Sequence, residues 1–147
     1  MADISGNGSS IELRASRTFP GGISLTSFAD DADMYDAPVL AIGDAAMGPN
    51  GDLVTWSLAT RLELTLNIIA DTEDDENLQV LLHNNRVGRG KVSARDEITL
   101  TIVYPSGKTG TYSKGKLLSG IPSNSATSVG RFKSKPYLFV FQNYVST

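Results

Sequence analysis

The sequence contains no cysteine. That excludes disulfides and thiolate-ligated metal centres. It has a single histidine, His83, so no metal site built on two histidines forms within one chain. No run approaches the roughly 18 consecutive apolar residues of a membrane span. The start, Met-Ala-Asp-Ile-Ser-Gly, has neither the basic opening nor the apolar core of a secretory leader. The Asn7-Gly8-Ser9 match to a glycosylation sequon therefore reads as chance. These absences lead us to expect no membrane partner and no cofactor. What is present is ordinary globular material: 147 residues, 40% hydrophobic and 20% charged, a length that suits one domain with its own core.

The net charge of -3 says little, but its distribution is uneven. Residues 1–76 hold fourteen acids and three bases, a net of -11; residues 77–147 hold two acids and ten bases, a net of +8. Such a split suits pairing across one sheet, an acidic face meeting a basic face on another subunit, or a solvated surface with no partner.

Residues 1–10 are rich in Gly, Ser and Asn, the composition of a flexible arm. Ile11 to Phe19 alternates with period two and predicts a strand. Pro20-Gly21-Gly22 predicts a turn, with a return strand over Ile23 to Phe28. Residues 29–51 carry Asp30, Asp31, Asp33, Asp36 and several Gly and Pro. They read as a long loop, with Val39 to Ile42 as a short strand, and such loops usually serve contacts. Asp52 to Leu58 predicts a strand. From Arg61 to Ile68 the alternation is clean: Leu62, Leu64, Leu66 and Ile68 on one face, Arg61, Glu63, Thr65 and Asn67 on the other.

One helix is expected, from about Thr72 to Asn85. Asp71 or Thr72 supplies the N-cap, Glu73 to Glu76 oppose the positive helix end, and Leu78, Leu81 and Leu82 form an apolar stripe. Ile98 to Tyr104 and Thr111 to Ile121 flank a hairpin connection. Residues 122–134 form a second loop, and Tyr137 to Val145 closes the chain as an aromatic strand.

Catalytic motifs are missing. Gly107-Lys108-Thr109 ends like a phosphate-binding loop, but Ile102 stands where the first glycine is required and a strand follows where a helix is needed. His83 has no nucleophile-elbow motif to serve. The acids between Asp30 and Asp36 lack the spacing of an EF-hand. Bases spread over 108–135 sit among Tyr112, Phe132 and Tyr137, yet the overall balance is acidic, unlike that of most nucleic-acid binders. We expect no enzyme.

The element order, together with Trp56 to Ala70 running into Asp71 to Leu82, Ile98 to Tyr104 and Ser134 to Phe141, resembles the tail tube proteins of contractile-tailed bacteriophages. These are related in fold to type VI secretion and pyocin tube proteins. The resemblance implies a mainly β fold with one α-helix, a β-sandwich or split β-barrel, in a single domain spanning 1–147. It implies a structural virion protein that forms hexameric rings stacked into a hollow conduit for DNA ejection. The implied partners are further copies of itself, the tail sheath, baseplate and tail terminator proteins, with DNA passing non-specifically through the lumen. The implied location is the virion tail, assembled in the host bacterial cytoplasm. In this frame Arg61, Glu63, Thr65 and Asn67 are candidates for the lumen wall. Asp30, Asp31, Asp33, Asp36, Lys114, Lys116, Arg131 and Lys133 are candidates for inter-ring contacts, and 29–51 for contacts between subunits. The alternative is a small β-sandwich binding carbohydrate or a receptor through Trp56, Tyr35 and Tyr112.

Overall fold

A computed structural model describes residues 6, 8–30 and 32–146. Nine strands and one helix follow in the order β1 (Ser10–Ala15), β2 (Phe19–Leu25), β3 (Tyr35–Asp36), β4 (Gly43–Met47), β5 (Leu53–Ser57), β6 (Leu62–Ile68), α1 (Glu73–Asn85), β7 (Ile98–Val103), β8 (Thr109–Ser119) and β9 (Lys135–Ser146). Seven of them make one antiparallel sheet in the order β2-β1-β7-β8-β9-β6-β3, while β4 and β5 pair only with each other. The sheet curls until its ends approach. Phe28, just past edge strand β2, bridges to Ile68 of β6. The Ala29 amide donates to the Asn67 carbonyl and the Ile69 amide to the Ser27 carbonyl. The result is a sandwich-like sheet, joined at one corner and open elsewhere.

Alternation decides the two faces, because successive strand residues point opposite ways. On β6 the predicted split holds: Leu64, Leu66 and Ile68 are buried, while Glu63, Thr65 and Asn67 are half-exposed. On β9, Tyr137, Phe139 and Phe141 are buried. Opposed residues build continuous rows across the inner face. One row runs Leu117, Phe139, Leu64. Another crosses five strands as Ala15, Ile98, Gly115, Phe141, Leu62. Gly115 is the gap in that row, and a Cβ there would overlap the Phe141 ring.

The helix lies where its signals placed it. Thr72 is the N-cap, and its hydroxyl accepts from the Asp75 amide at 3.3 Å. Leu78 and Leu81 are fully buried in the core formed by the sheet's inner face, each worth about 2 kcal/mol of burial.

Two local expectations need correction. The first turn falls at Ser16-Arg17-Thr18 rather than at Pro20-Gly21-Gly22, and Phe19 and Pro20 already belong to β2. The cause is Asp96, distant in sequence, which accepts the Arg17 and Thr18 amides and so fixes the turn there. Val39 to Ile42 is not a strand. Gly43–Met47 is the strand instead, because it pairs with β5 around the Gly48 to Gly51 turn.

Candidate functional site

One exposed feature of the described residues is the β4–β5 hairpin. Its backbone is satisfied by five opposed pairs, from Gly43↔Ser57 to Met47↔Leu53. All ten strand residues are nevertheless exposed. Opposed residues share a face, so Asp44, Ala46, Val54 and Trp56 project to one side, and Ala45, Met47, Leu53 and Thr55 to the other. Met47 is 66% exposed, Leu53 63%, Val54 55% and Trp56 45%. Contiguous apolar side chains exposed on both faces of a ribbon are the mark of an interaction surface. At its root an apolar depression of about 400 Å³ lies among Pro38, Val39, Leu40, Leu62 and Tyr112.

A second feature crosses the outer face of β8 and β9. Two adjoining depressions, of about 480 and 420 Å³, share Lys114, Gly115, Lys116 and Gln142. Arg95 borders one and Arg61 the other. Arg61 is matched by Glu63 at 2.8 Å. Lys114 sits at φ +55° and Arg95 at φ +54°, a region that side chains other than glycine seldom occupy. At Lys114 the cause is a bulge: β8 uses three residues, Tyr112 to Lys114, where β7 uses two.

The candidate residues fall in different places. Glu63 and Thr65 lie on the outer face of β6. Asn67 lies there too, but its amide donates to the Asp33 carbonyl at 2.8 Å. Asp30 and Arg131 engage each other, with Arg131 Nη2 3.0 Å from Asp30 Oδ1. That bond, reinforced by the guanidinium's charge, holds the Asp30 carboxyl below its ordinary range. Asp33, Asp36, Lys114, Lys116 and Lys133 are exposed. Asp31, and most of the 1–10 arm with its Asn7, lie outside the described residues. The three aromatic residues of the binding-module alternative do not form one exposed patch. Trp56 stands on the hairpin, while Tyr35 and Tyr112 are half-buried against the core. Among the described residues no three acidic or histidine side chains converge as metal ligands, and no helix is long and apolar enough to cross a membrane.

The acidic run at the helix start does more than cap. Asp74 Oδ2 accepts the Thr26 and Ser27 amides, each at 2.8 Å, and so ties the helix to the segment leaving β2. Asp75 receives Lys135 Nζ at 3.0 Å and the Tyr137 hydroxyl at 2.8 Å. Gln79 completes this network, donating at 2.7 Å to the Tyr137 oxygen and to the Ile121 carbonyl. Burial first, then the hydrogen bond to Asp75 and its negative charge, push the Tyr137 phenol up against the opposing effect of the Gln79 donor. At the other helix end Asp96 accepts from Asn85, Thr18 Oγ1 and two backbone amides. Sequence reasoning took Asp74 and Asp75 as dipole partners and gave Asp96 no role. Only their tertiary neighbours reveal these jobs.

A family model described as "Tail fiber protein gp32" matches residues 2–145. No curated protein is significantly similar in sequence. Among solved structures, the chain is similar to one in the PVC sheath/tube terminator of an extracellular contractile injection system in its extended state. The TM-score is 0.58 at 10% identity, over 100% of this chain and 98% of the other. It is similar to one in the tube-terminating cap of the anti-feeding prophage, with TM-score 0.59 and 9% identity, over 100% and 92%. It is also similar to one in the PVC sheath-tube complex in the extended state, with TM-score 0.52 and 12% identity, over 93% and 87%. At these identities the likeness is one of fold, and the fold is the mainly β, one-helix architecture expected from the sequence. The matched family and structures are structural proteins, not enzymes.

Proposed function

The chain belongs to the tail fiber protein gp32 family, and from that premise we propose that it is a tube subunit of a contractile tail, forming hexameric rings that stack into a hollow conduit. At the coarser level it is a structural tail protein. The observation that carries the finer reading is the hairpin: ten exposed strand residues with apolar side chains on both faces. An isolated two-stranded hairpin is marginal in water, so this one is completed by a neighbour. A contact between two different patches of identical chains repeats from copy to copy, and closes into a ring where the rotation allows.

In this reading residues 1–147 act as one unit, with 1–10 as an arm and 29–51 leading into the hairpin for contacts between subunits. The outer face of β6, with Arg61, Glu63, Thr65 and Asn67, lines the lumen. Arg61 is neutralised by Glu63, so the wall offers DNA no unpaired cation from this strand and lets it slide. Inter-ring contacts fall to Asp33, Asp36, Lys114, Lys116 and Lys133. Asp30 and Arg131 join them by exchanging their partner within the chain for one across the ring interface, and Asp31 lies beside them in sequence. Sheath, baseplate and terminator proteins are the further partners, with assembly in the host bacterial cytoplasm.

A second reading has its own support. Two of the structurally similar chains come from a sheath/tube terminator and a tube-terminating cap, which suggests a ring that ends a tube. Negative-stain microscopy of the purified protein across concentration separates the two. A tube subunit gives filaments that lengthen with concentration, whereas a terminator gives discrete rings that do not. Protein that stays monomeric at every concentration and salt overturns both.

A further inference from the structure

Resting on the self-assembly reading above, we propose that the β4–β5 hairpin of one copy seats in the cationic groove across β8 and β9 of another copy. The two surfaces match in charge. Residues 43–57 carry Asp44 and Asp52 and no base. Asp44 shares a face with Ala46, Val54 and Trp56, and Asp52, two residues before Val54, continues the alternation of that face. The face is thus apolar in the middle and acidic at its ends. The groove is its counterpart: Lys114, Lys116 and Arg95 are exposed around Gln142 and the half-buried Val140.

None of these three bases has an acidic partner among the described residues. Like charges gathered without an ion-pair partner repel one another. Among the described residues, two of the three non-glycine residues with positive φ are Lys114 and Arg95, and strained backbone of this kind concentrates where a surface has work to do. The groove is not uniformly basic. Glu97 stands on its rim, and Asp96 below is engaged by Thr18 and Asn85. A mixed border of this kind suits a folded segment with an apolar centre better than a run of phosphates.

Connectivity makes the contact one between copies. β5 ends at Ser57, and the chain passes through Ala59, Thr60 and Arg61, which form the groove's far wall. Each groove therefore lies at the root of its own chain's hairpin, and the tip is free to reach the next copy. A hairpin-to-groove contact of this kind is head-to-tail and propagates.

The test is a charge swap in the full chain, with assembly followed by sedimentation velocity. K114E/K116E and D44K/D52K should each raise the concentration needed for assembly about tenfold or more at low salt. An equimolar mixture of the two variants should co-assemble, because each offers the other a matched hairpin and groove. The chain carrying all four changes should assemble again by itself. Circular dichroism checks that each variant folds. Should one not fold, V54C and Q142C chains, free of any native cysteine, should cross-link to each other on oxidation inside wild-type-like assemblies. Wild-type assembly with variants that assemble equally well, or cysteines that never cross-link, overturns this inference and leaves the assembly reading standing. Wild-type protein that never assembles overturns both.

Discussion

The Lys135 ammonium lies 3.0 Å from the Asp75 carboxylate, and both side chains are almost wholly out of water. Asp75 also receives the Tyr137 hydroxyl and the Asp71 amide, so the carboxylate is hydrogen-bonded on both oxygens. The pair joins the first turn of the helix to the first residue of β9. Removing one partner leaves a buried charge uncompensated. We expect Lys135→Met to cost about 3–5 kcal/mol, measured by urea denaturation. Removing both charges with Lys135→Met and Asp75→Asn should cost less than the single change. A double variant worse than Lys135→Met alone would show that the hydrogen bonds matter more than the charge.

Asp96 sets a dependence on acid. Burial alone would raise its carboxyl, but the hydrogen bonds from Thr18, Asn85 and the Thr18 and Arg17 amides outweigh it and hold the group below its ordinary value of 3.8. The unfolded chain therefore takes up this proton before the folded one does. The stabilisation is complete above the ordinary value and is lost as pH falls through the lowered one. Asp96→Asn should flatten that acid limb in thermal melts at stepped pH. It should also loosen the Ser16 to Thr18 turn, seen as faster amide exchange at Arg17 and Thr18. An unchanged acid limb would rule Asp96 out as its source.

Much of this was legible locally. Period-two alternation fixed both faces of β6 and β9, because one face of each is buried. Thr72, Glu73 to Glu76 and the Leu78 and Leu81 spacing marked the helix, because caps and stripes act within a few residues. What escaped was set by distant partners. The β1–β2 turn moved because Asp96 binds it from about eighty residues away. The β4 strand hid in a Gly-rich segment with little apolar alternation, because its pairing depends on β5 and not on burial. The cationic groove was missed as a surface. Lys114 and Lys116 were singled out, but Arg95 joins them only through the sheet.

Gly115 tests the packing of the inner face. It lies opposite Phe141 in the five-strand row, and the ring occupies the space a side chain would need. Gly115→Ala should destabilise by about 1–3 kcal/mol through overpacking. Phe141→Leu alone should also destabilise, since it opens a cavity. Combined, the two should cost less than their sum, because the smaller side chain makes room for the new methyl. Strict additivity in denaturant melts would contradict direct contact between these positions.

The hairpin separates folding from assembly. Read as a contact loop, residues 29–51 are the segment whose removal should leave a folded monomer. The structure moves the cut, because that stretch includes the buried Ala29 and strand β3, whose Tyr35 packs edge-on against Phe28. No residue of the two hairpin strands is buried, and none belongs to the hydrophobic core. Replacing them with a short Gly-Ser linker should therefore leave the thermal midpoint within a few degrees of wild type, since little apolar surface is lost from the core. Removing 29–51 should lower it well beyond that. Neither shortened chain should form rings or filaments under the microscope. A chain without 43–57 that still assembles would move the subunit contact elsewhere on the fold, and one that no longer folds would show that the hairpin is part of the core.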